Sequence, residues 1–65
     1  MRKFIFQKLR EAECPCSFDK IHQWVTAKFG GFFTKEFIFR AIDLLFQDGK
    51  ILETERLVYE ANYSF

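Results

Sequence analysis

The sequence predicts one small α+β domain in which three helices precede a β-hairpin. The first observation is that Ser17 and Thr34, which are typical N-cap residues, each stand directly before an apolar stripe with helical spacing. The second is that glycines, which often end helices, follow both stripes. The third is a change to alternating apolar and polar residues near the end of the chain, which is typical of a strand with one buried face. Sixty-five residues suit a single domain, residues 1–65. An aromatic content of 20%, including ten Phe, compensates for the short chain.

The first helix is predicted from about Lys3 to Glu13. Ile5, Leu9 and Ala12 have helical spacing within it, and no Gly or Pro interrupts the segment. Pro15 ends the pattern and favours an extended residue before it.

The second and third helices have a predicted start and end each. Ser17 is the predicted N-cap of helix 2, which ends at Gly30–Gly31 because glycine adopts the left-handed conformation without steric cost. Thr34 is the predicted N-cap of helix 3, which runs to about Gln47 or Asp48 before Gly49. The residues of helix 3 expected in the core are Ile38, Ala41, Ile42 and Leu45.

The predicted hairpin consists of a short strand at residues 50–54, a connection through Glu55 and Arg56, and a second strand. In the second strand, one face is expected to be buried, and its side chains are Leu57, Tyr59, Ala61 and Tyr63.

The segment from Arg40 to Ile51, with an Ala-aliphatic pair, a Leu and then Gly49, resembles the end of the recognition helix in winged helix-turn-helix proteins. Residues 1–9 and 17–25 are similar to that family's first two helices. The resemblance implies a small stand-alone winged helix with a three-helix core, a small first strand at residues 13–16 and a wing of two or three strands. It also implies that helix 3 lies in the major groove of DNA and that the hairpin touches the DNA backbone or minor groove.

DNA binding in a regulatory role is therefore the first expectation for function, with double-stranded DNA as the partner. The residues expected to contact it are Lys35, Arg40, Gln47, Arg56 and Lys28. The outward row of helix 3 also carries two carboxylates, Glu36 and Asp43, which phosphates repel, and Glu36 is spaced to pair with Arg40.

The charge distribution leaves an unusual docking mode open. The net charge is only +1, but residues 1–29 hold six basic and three acidic side chains, whereas residues 30–65 hold four basic and six acidic ones. Phosphates could therefore contact the basic residues of helices 1 and 2, namely Arg2, Lys3, Lys8 and Lys28.

The alternative is a protein-interaction or homodimerisation module. Phe37 and Leu44 fall on one flank of helix 3, while Phe39 and Phe46 fall on the other. These four side chains widen the apolar surface beyond an ordinary core stripe, which is typical of an interface. They could instead be covered by helix 1, the hairpin and Phe65.

No enzyme, cofactor or small-molecule substrate is expected, because the sequence has no phosphate-binding loop and no nucleophile paired with a base. Cys14, Cys16 and His22 are too few to complete a zinc site in one chain, although two chains could share one. We interpret the two Cys as small, partly buried side chains beside the first strand.

Two further expectations concern single-stranded nucleic acid and location. Trp24, Tyr59 and Tyr63 could stack single-stranded bases if all three were exposed, although we interpret Trp24 as the edge of the core. No signal peptide and no apolar stretch of membrane-spanning length is present, so a cytoplasmic protein without membrane contact is expected.

Overall fold

The computed structural model describes all residues, Met1–Phe65, and contains three helices and one three-stranded antiparallel sheet. The small strand β1 lies between the first two helices, and β2 and β3 form a hairpin after the third. The sheet order is β1-β3-β2. These features confirm the predicted α+β class with three helices and a C-terminal hairpin. The elements are α1 (Arg2–Ala12), β1 (Cys16–Ser17), α2 (Phe18–Phe29), α3 (Lys35–Gln47), β2 (Ile51–Glu55) and β3 (Val58–Ala61).

Both predicted N-caps are confirmed. The Ser17 hydroxyl accepts a hydrogen bond from the Lys20 amide at 3.2 Å, and the Thr34 hydroxyl accepts one from the Phe37 amide at 3.2 Å. Each bond satisfies a backbone donor that has no partner inside the first turn of the helix. Helix α2 ends at Phe29 and is capped by Gly30, whose φ of 75° suits glycine, and the short 3₁₀ turn Gly30–Phe32 leads towards α3.

The core consists of thirteen buried apolar side chains drawn from every helix and strand. Helix α3 contributes the most, and its four predicted core residues are all buried. Tyr59 and Ala61 contribute the buried face of β3, as the alternating pattern predicts. The thirteen are Ile5, Leu9, Cys16, Phe18, Ile21, Val25, Ile38, Ala41, Ile42, Leu45, Ile51, Tyr59 and Ala61.

The segment between α1 and α2 differs from the prediction. Helix α1 ends at Ala12, one residue early, because Glu13 adopts the left-handed conformation with φ of 57°. The first strand is Cys16–Ser17 rather than residues 13–16. Only these two residues reach β3, where they pair with Tyr59 and Val58.

The hairpin connection lies one residue later than predicted. The turn consists of Arg56 and Leu57, and Leu57 has a φ of 62°. A register shift between Glu53 and Glu55 lengthens β2 to Glu55, and a Glu53 carboxylate oxygen accepts a hydrogen bond from the Leu57 amide at 3.1 Å. Leu57 is therefore exposed in the turn and does not belong to the buried face of β3, and Tyr63 is exposed beyond the end of that strand.

Candidate functional site

The outward row of α3 consists of Glu36, Arg40, Asp43 and Gln47, and all four side chains are exposed. Residues three or four positions apart share one face of a helix, so the Thr34 cap and the buried opposite face together orient this row towards solvent. Glu36 and Arg40 line the same shallow depression near the start of the helix. The row presents both signs of charge rather than a continuous basic surface.

The five residues expected to contact DNA are exposed but lie on three separate elements. Lys35 begins α3, Arg40 and Gln47 belong to its outward row, Arg56 lies in the hairpin turn and Lys28 in the last turn of α2. Lys28 approaches α1, because its Nζ lies 6.0 Å from the centre of the Phe4 ring.

The two flanks of α3 expose four large apolar side chains. Phe37 is 47% and Leu44 38% exposed on one flank; Phe39 is 37% and Phe46 48% exposed on the other. Phe65 does not cover them, since its ring packs edge-on against Phe6 at a centroid distance of 6.3 Å. The flanks of α3 are therefore apolar surfaces available to a partner.

Ring stacking holds one aromatic side chain on each flank in place. Phe39 stacks on the buried Phe18 with 3.9 Å between ring centres and an interplanar angle of 5°. Phe37 stacks on Phe33 at 4.9 Å. Each ring is thus packed on one side and exposed on the other, so an interface made by these rings needs little further ordering of side chains.

The first flank borders a groove of about 260 Å³ between α3 and the start of α1. Arg2 and Arg40 both line this groove, which we call the α1 groove. A basic residue of α1 and the arginine of α3 therefore lie on the same side of α3. The remaining lining residues are Met1, Phe37, Ala41 and Leu44.

The second flank borders a groove of about 390 Å³ between α3 and the hairpin. Asp43 of α3 and Glu53 of β2 bring two carboxylates to this groove, which we call the hairpin groove. Burial raises the pKa of the Tyr59 phenol, and the charges of Glu53 and Asp43 raise that pKa further. The remaining lining residues are Phe39, Arg40, Ile42, Phe46 and Tyr59.

Sequence reasoning did not predict that Asp43, Glu53 and Tyr59 meet. The three residues lie on three different elements, and no local motif connects them. Their meeting depends on how the hairpin packs against α3. The only signal in the sequence is the concentration of acidic side chains in residues 30–65.

The two cysteines occupy different environments. Cys14 is exposed and Cys16 is buried, where its S–H donates to the Cys14 carbonyl at 3.4 Å. Burial, followed by the neighbouring Cys14, raises the pKa of the Cys16 thiol. No three His, Cys, Asp or Glu side chains lie close enough together to hold a metal ion. A metal site shared between two chains would require Cys16 to leave the core.

The suggestion that Trp24, Tyr59 and Tyr63 form a platform for bases is wrong. Tyr59 is buried in the core, Trp24 is half-buried, and only Tyr63 is exposed. The Tyr63 hydroxyl donates to the Leu9 carbonyl at 3.5 Å, which ties the end of the chain to α1.

Every helix of this chain falls short of the length and apolar character that a bilayer crossing requires.

Comparison with known proteins gave no match to a family model, to a curated protein or to a solved structure.

Proposed function

We propose that this chain is a non-enzymatic winged-helix module that binds a protein partner through helix α3. The winged-helix assignment is supported by a small strand between the first two helices and by a third helix that leads into a hairpin. Gly49, with φ of 78°, makes that junction, in the segment that resembles the family.

The observation that carries the proposal is the exposure of four large apolar side chains on one helix. The polar row of α3 is bordered on one side by Phe37 and Leu44 and on the other by Phe39 and Phe46. Large exposed apolar side chains grouped on one helix are typical of protein interfaces, which are also rich in aromatic side chains.

The electrostatics of the hairpin groove also favour a protein over duplex DNA. The groove lies between α3 and the hairpin, the two elements that contact DNA in the family that this chain resembles. Two carboxylates, Asp43 and Glu53, face one guanidinium there, from Arg40. Binding to DNA depends on Lys and Arg releasing counterions from phosphates, and carboxylates at the contact surface oppose it.

Selection from a random dodecapeptide library on the immobilised protein tests the proposal. Enriched peptides should bind wild-type protein in fluorescence anisotropy, and Phe46→Ser should weaken that binding roughly tenfold because central apolar contacts contribute most to such interfaces. Phe32→Ser is the matched control, since Phe32 is 89% exposed but lies outside both grooves. A selection with no enrichment over the bare surface, or peptides that bind Phe46→Ser as tightly as wild type, would overturn the proposal.

Duplex DNA binding is the second candidate, and the α1 groove favours it. Arg2 and Arg40 come from different helices to line this groove, and guanidinium groups suit phosphate oxygens. Under this candidate, affinity for random duplex should fall steeply with salt, and Arg40→Gln should reduce it. The absence of binding at about 50 mM salt would contradict it.

A further inference from the structure

We propose that the hairpin groove binds the guanidinium group of an arginine side chain carried by the protein partner. The inference rests on the proposed protein-binding function and names the chemistry that the partner presents. The groove combines carboxylates with aromatic rings, and both kinds of group attract a guanidinium.

Both carboxylates of the hairpin groove are exposed. Asp43 comes from α3 and Glu53 from β2, so they line different walls of the groove. One oxygen of Glu53 accepts the Leu57 amide, which holds the carboxylate in position. Glu53 is also hydrogen-bonded to the Tyr59 side chain, which contributes to the raised pKa of Tyr59, so a bound guanidinium would share this carboxylate with both groups. A carboxylate that accepts a guanidinium forms one of the stronger hydrogen bonds found in proteins.

The aromatic lining suits a planar cation. Phe39 and Phe46 are seven residues apart on α3, which places them two turns apart on the same flank. The buried Tyr59 contributes a third ring. A guanidinium can stack on an aromatic face while its edge donates hydrogen bonds, whereas a lysine ammonium cannot do both in one plane. The groove volume of about 390 Å³ also lies within the range of ordinary small-ligand sites.

Arg40 is an internal competitor for this site. It lies on the ridge of α3 and lines both the hairpin groove and the α1 groove. In the hairpin groove its positive charge offsets one of the two carboxylates, Asp43 and Glu53, and a partner's arginine would offset the other. Removing the Arg40 charge should therefore strengthen binding of a cationic peptide, whereas it should weaken binding of DNA.

The direct test is a titration of ¹⁵N-labelled protein with the blocked tripeptide acetyl-Leu-Arg-Leu-amide and with its citrulline analogue. Citrulline keeps the shape of arginine and removes its charge. We expect the arginine peptide to bind roughly tenfold more tightly, with the largest amide shifts at Asp43, Phe46 and Glu53. Equal affinity of the two peptides would overturn the inference.

Variants with matched charge then locate the site. Asp43→Asn combined with Glu53→Gln should reduce affinity for the arginine peptide roughly tenfold. The Glu53→Gln change is expected to keep the hairpin turn intact, since an amide oxygen can still accept the Leu57 amide. The control combines Glu36→Gln with Glu55→Gln, which changes the net charge equally on the same two elements outside the groove. An equal loss in the control would show a long-range charge effect and would contradict the assignment.

Arg40→Gln gives the third measurement, and it should raise affinity for the arginine peptide about threefold. A decrease would contradict the competitor role.

The peptide selection separates this inference from the proposed function. Selected peptides that depend on Phe46 but contain no arginine would overturn the inference alone, whereas no selectable peptide at all would overturn the proposed function.

Discussion

The aromatic side chains of α1 and α2 have different surroundings from those of α3. On α1 and α2, cations of the same chain lie against the half-buried rings: Lys8 Nζ is 5.6 Å from the Trp24 ring centre, and the Arg10 guanidinium is 5.6 Å from that of Phe6. On α3 no cation of the chain lies over an aromatic ring, and Phe46 has no aromatic partner either.

This difference shows which apolar surface is already covered within the chain. Long basic side chains lay their aliphatic stems along aromatic rings while their charged ends stay in water. The basic side chains partly shield the rings of α1 and α2 from water in this way, so these rings are partly covered by residues of the same chain. The flanks of α3 are left in contact with water, and a partner surface is what would remove that contact.

The largest expected effect contrasts two adjacent residues of α3. Leu45 is buried and Phe46 is half exposed. Leu45→Ala should lower the free energy of unfolding by about 2–5 kcal/mol, which is comparable to the whole stability of a chain of this size. Phe46→Ala should cost less than about 1 kcal/mol. Urea denaturation followed by circular dichroism measures both, and similar losses would show that Phe46 belongs to the core rather than to a free surface.

The helix caps give an intermediate effect and test whether α2 and α3 differ in local stability. Ser17 and Thr34 accept the same kind of hydrogen bond at the start of α2 and α3. Ser17→Ala and Thr34→Ala should each lower the free energy of unfolding by about 0.5–2 kcal/mol. Thermal denaturation measures both losses. A much smaller loss for Thr34→Ala would mean that tertiary packing alone holds the start of α3.

The cation contacts should have a smaller effect. Lys8→Gln should cost roughly 0.5–1 kcal/mol, because it removes the charge beside Trp24. Lys35→Gln is the control, since Lys35 is exposed and contacts no ring. Equal urea midpoints for Lys8→Gln and wild type would remove the energetic basis for the contrast between α1–α2 and α3.

The smallest expected effect is a dependence on alkaline pH that comes from Tyr59. Burial and two nearby carboxylates raise the pKa of Tyr59 above its ordinary value of 10.0, so the folded state holds this proton more tightly than the unfolded state does. The resulting stability is present below about pH 10 and is lost as the pH rises through the pKa of the folded state. Urea midpoints should therefore decline less steeply above about pH 10 in Tyr59→Phe than in wild type. Parallel declines would show that Tyr59 is not the group responsible.

Much of the local structure could be predicted because its causes are local. Ser17 and Thr34 as caps, the four buried residues of α3 and the exposure of its polar row all follow from spacing within one helix. The hairpin turn lies one residue later than predicted because a bulge at Glu53–Glu55 shifts the pairing, and pairing between strands is not a local property.

By itself, the sequence determined the α+β class, the order of the helices and the four apolar side chains that flank α3. Capping, helical period and strand alternation each act over a few residues, so they can be recognised in the sequence without knowledge of the tertiary structure. Only the tertiary structure decided that Asp43, Glu53 and Tyr59 meet in the hairpin groove and that Arg2 and Arg40 line one groove. Those meetings depend on how α1 and the hairpin pack against α3, and the shared core that fixes this packing draws on side chains from the whole chain.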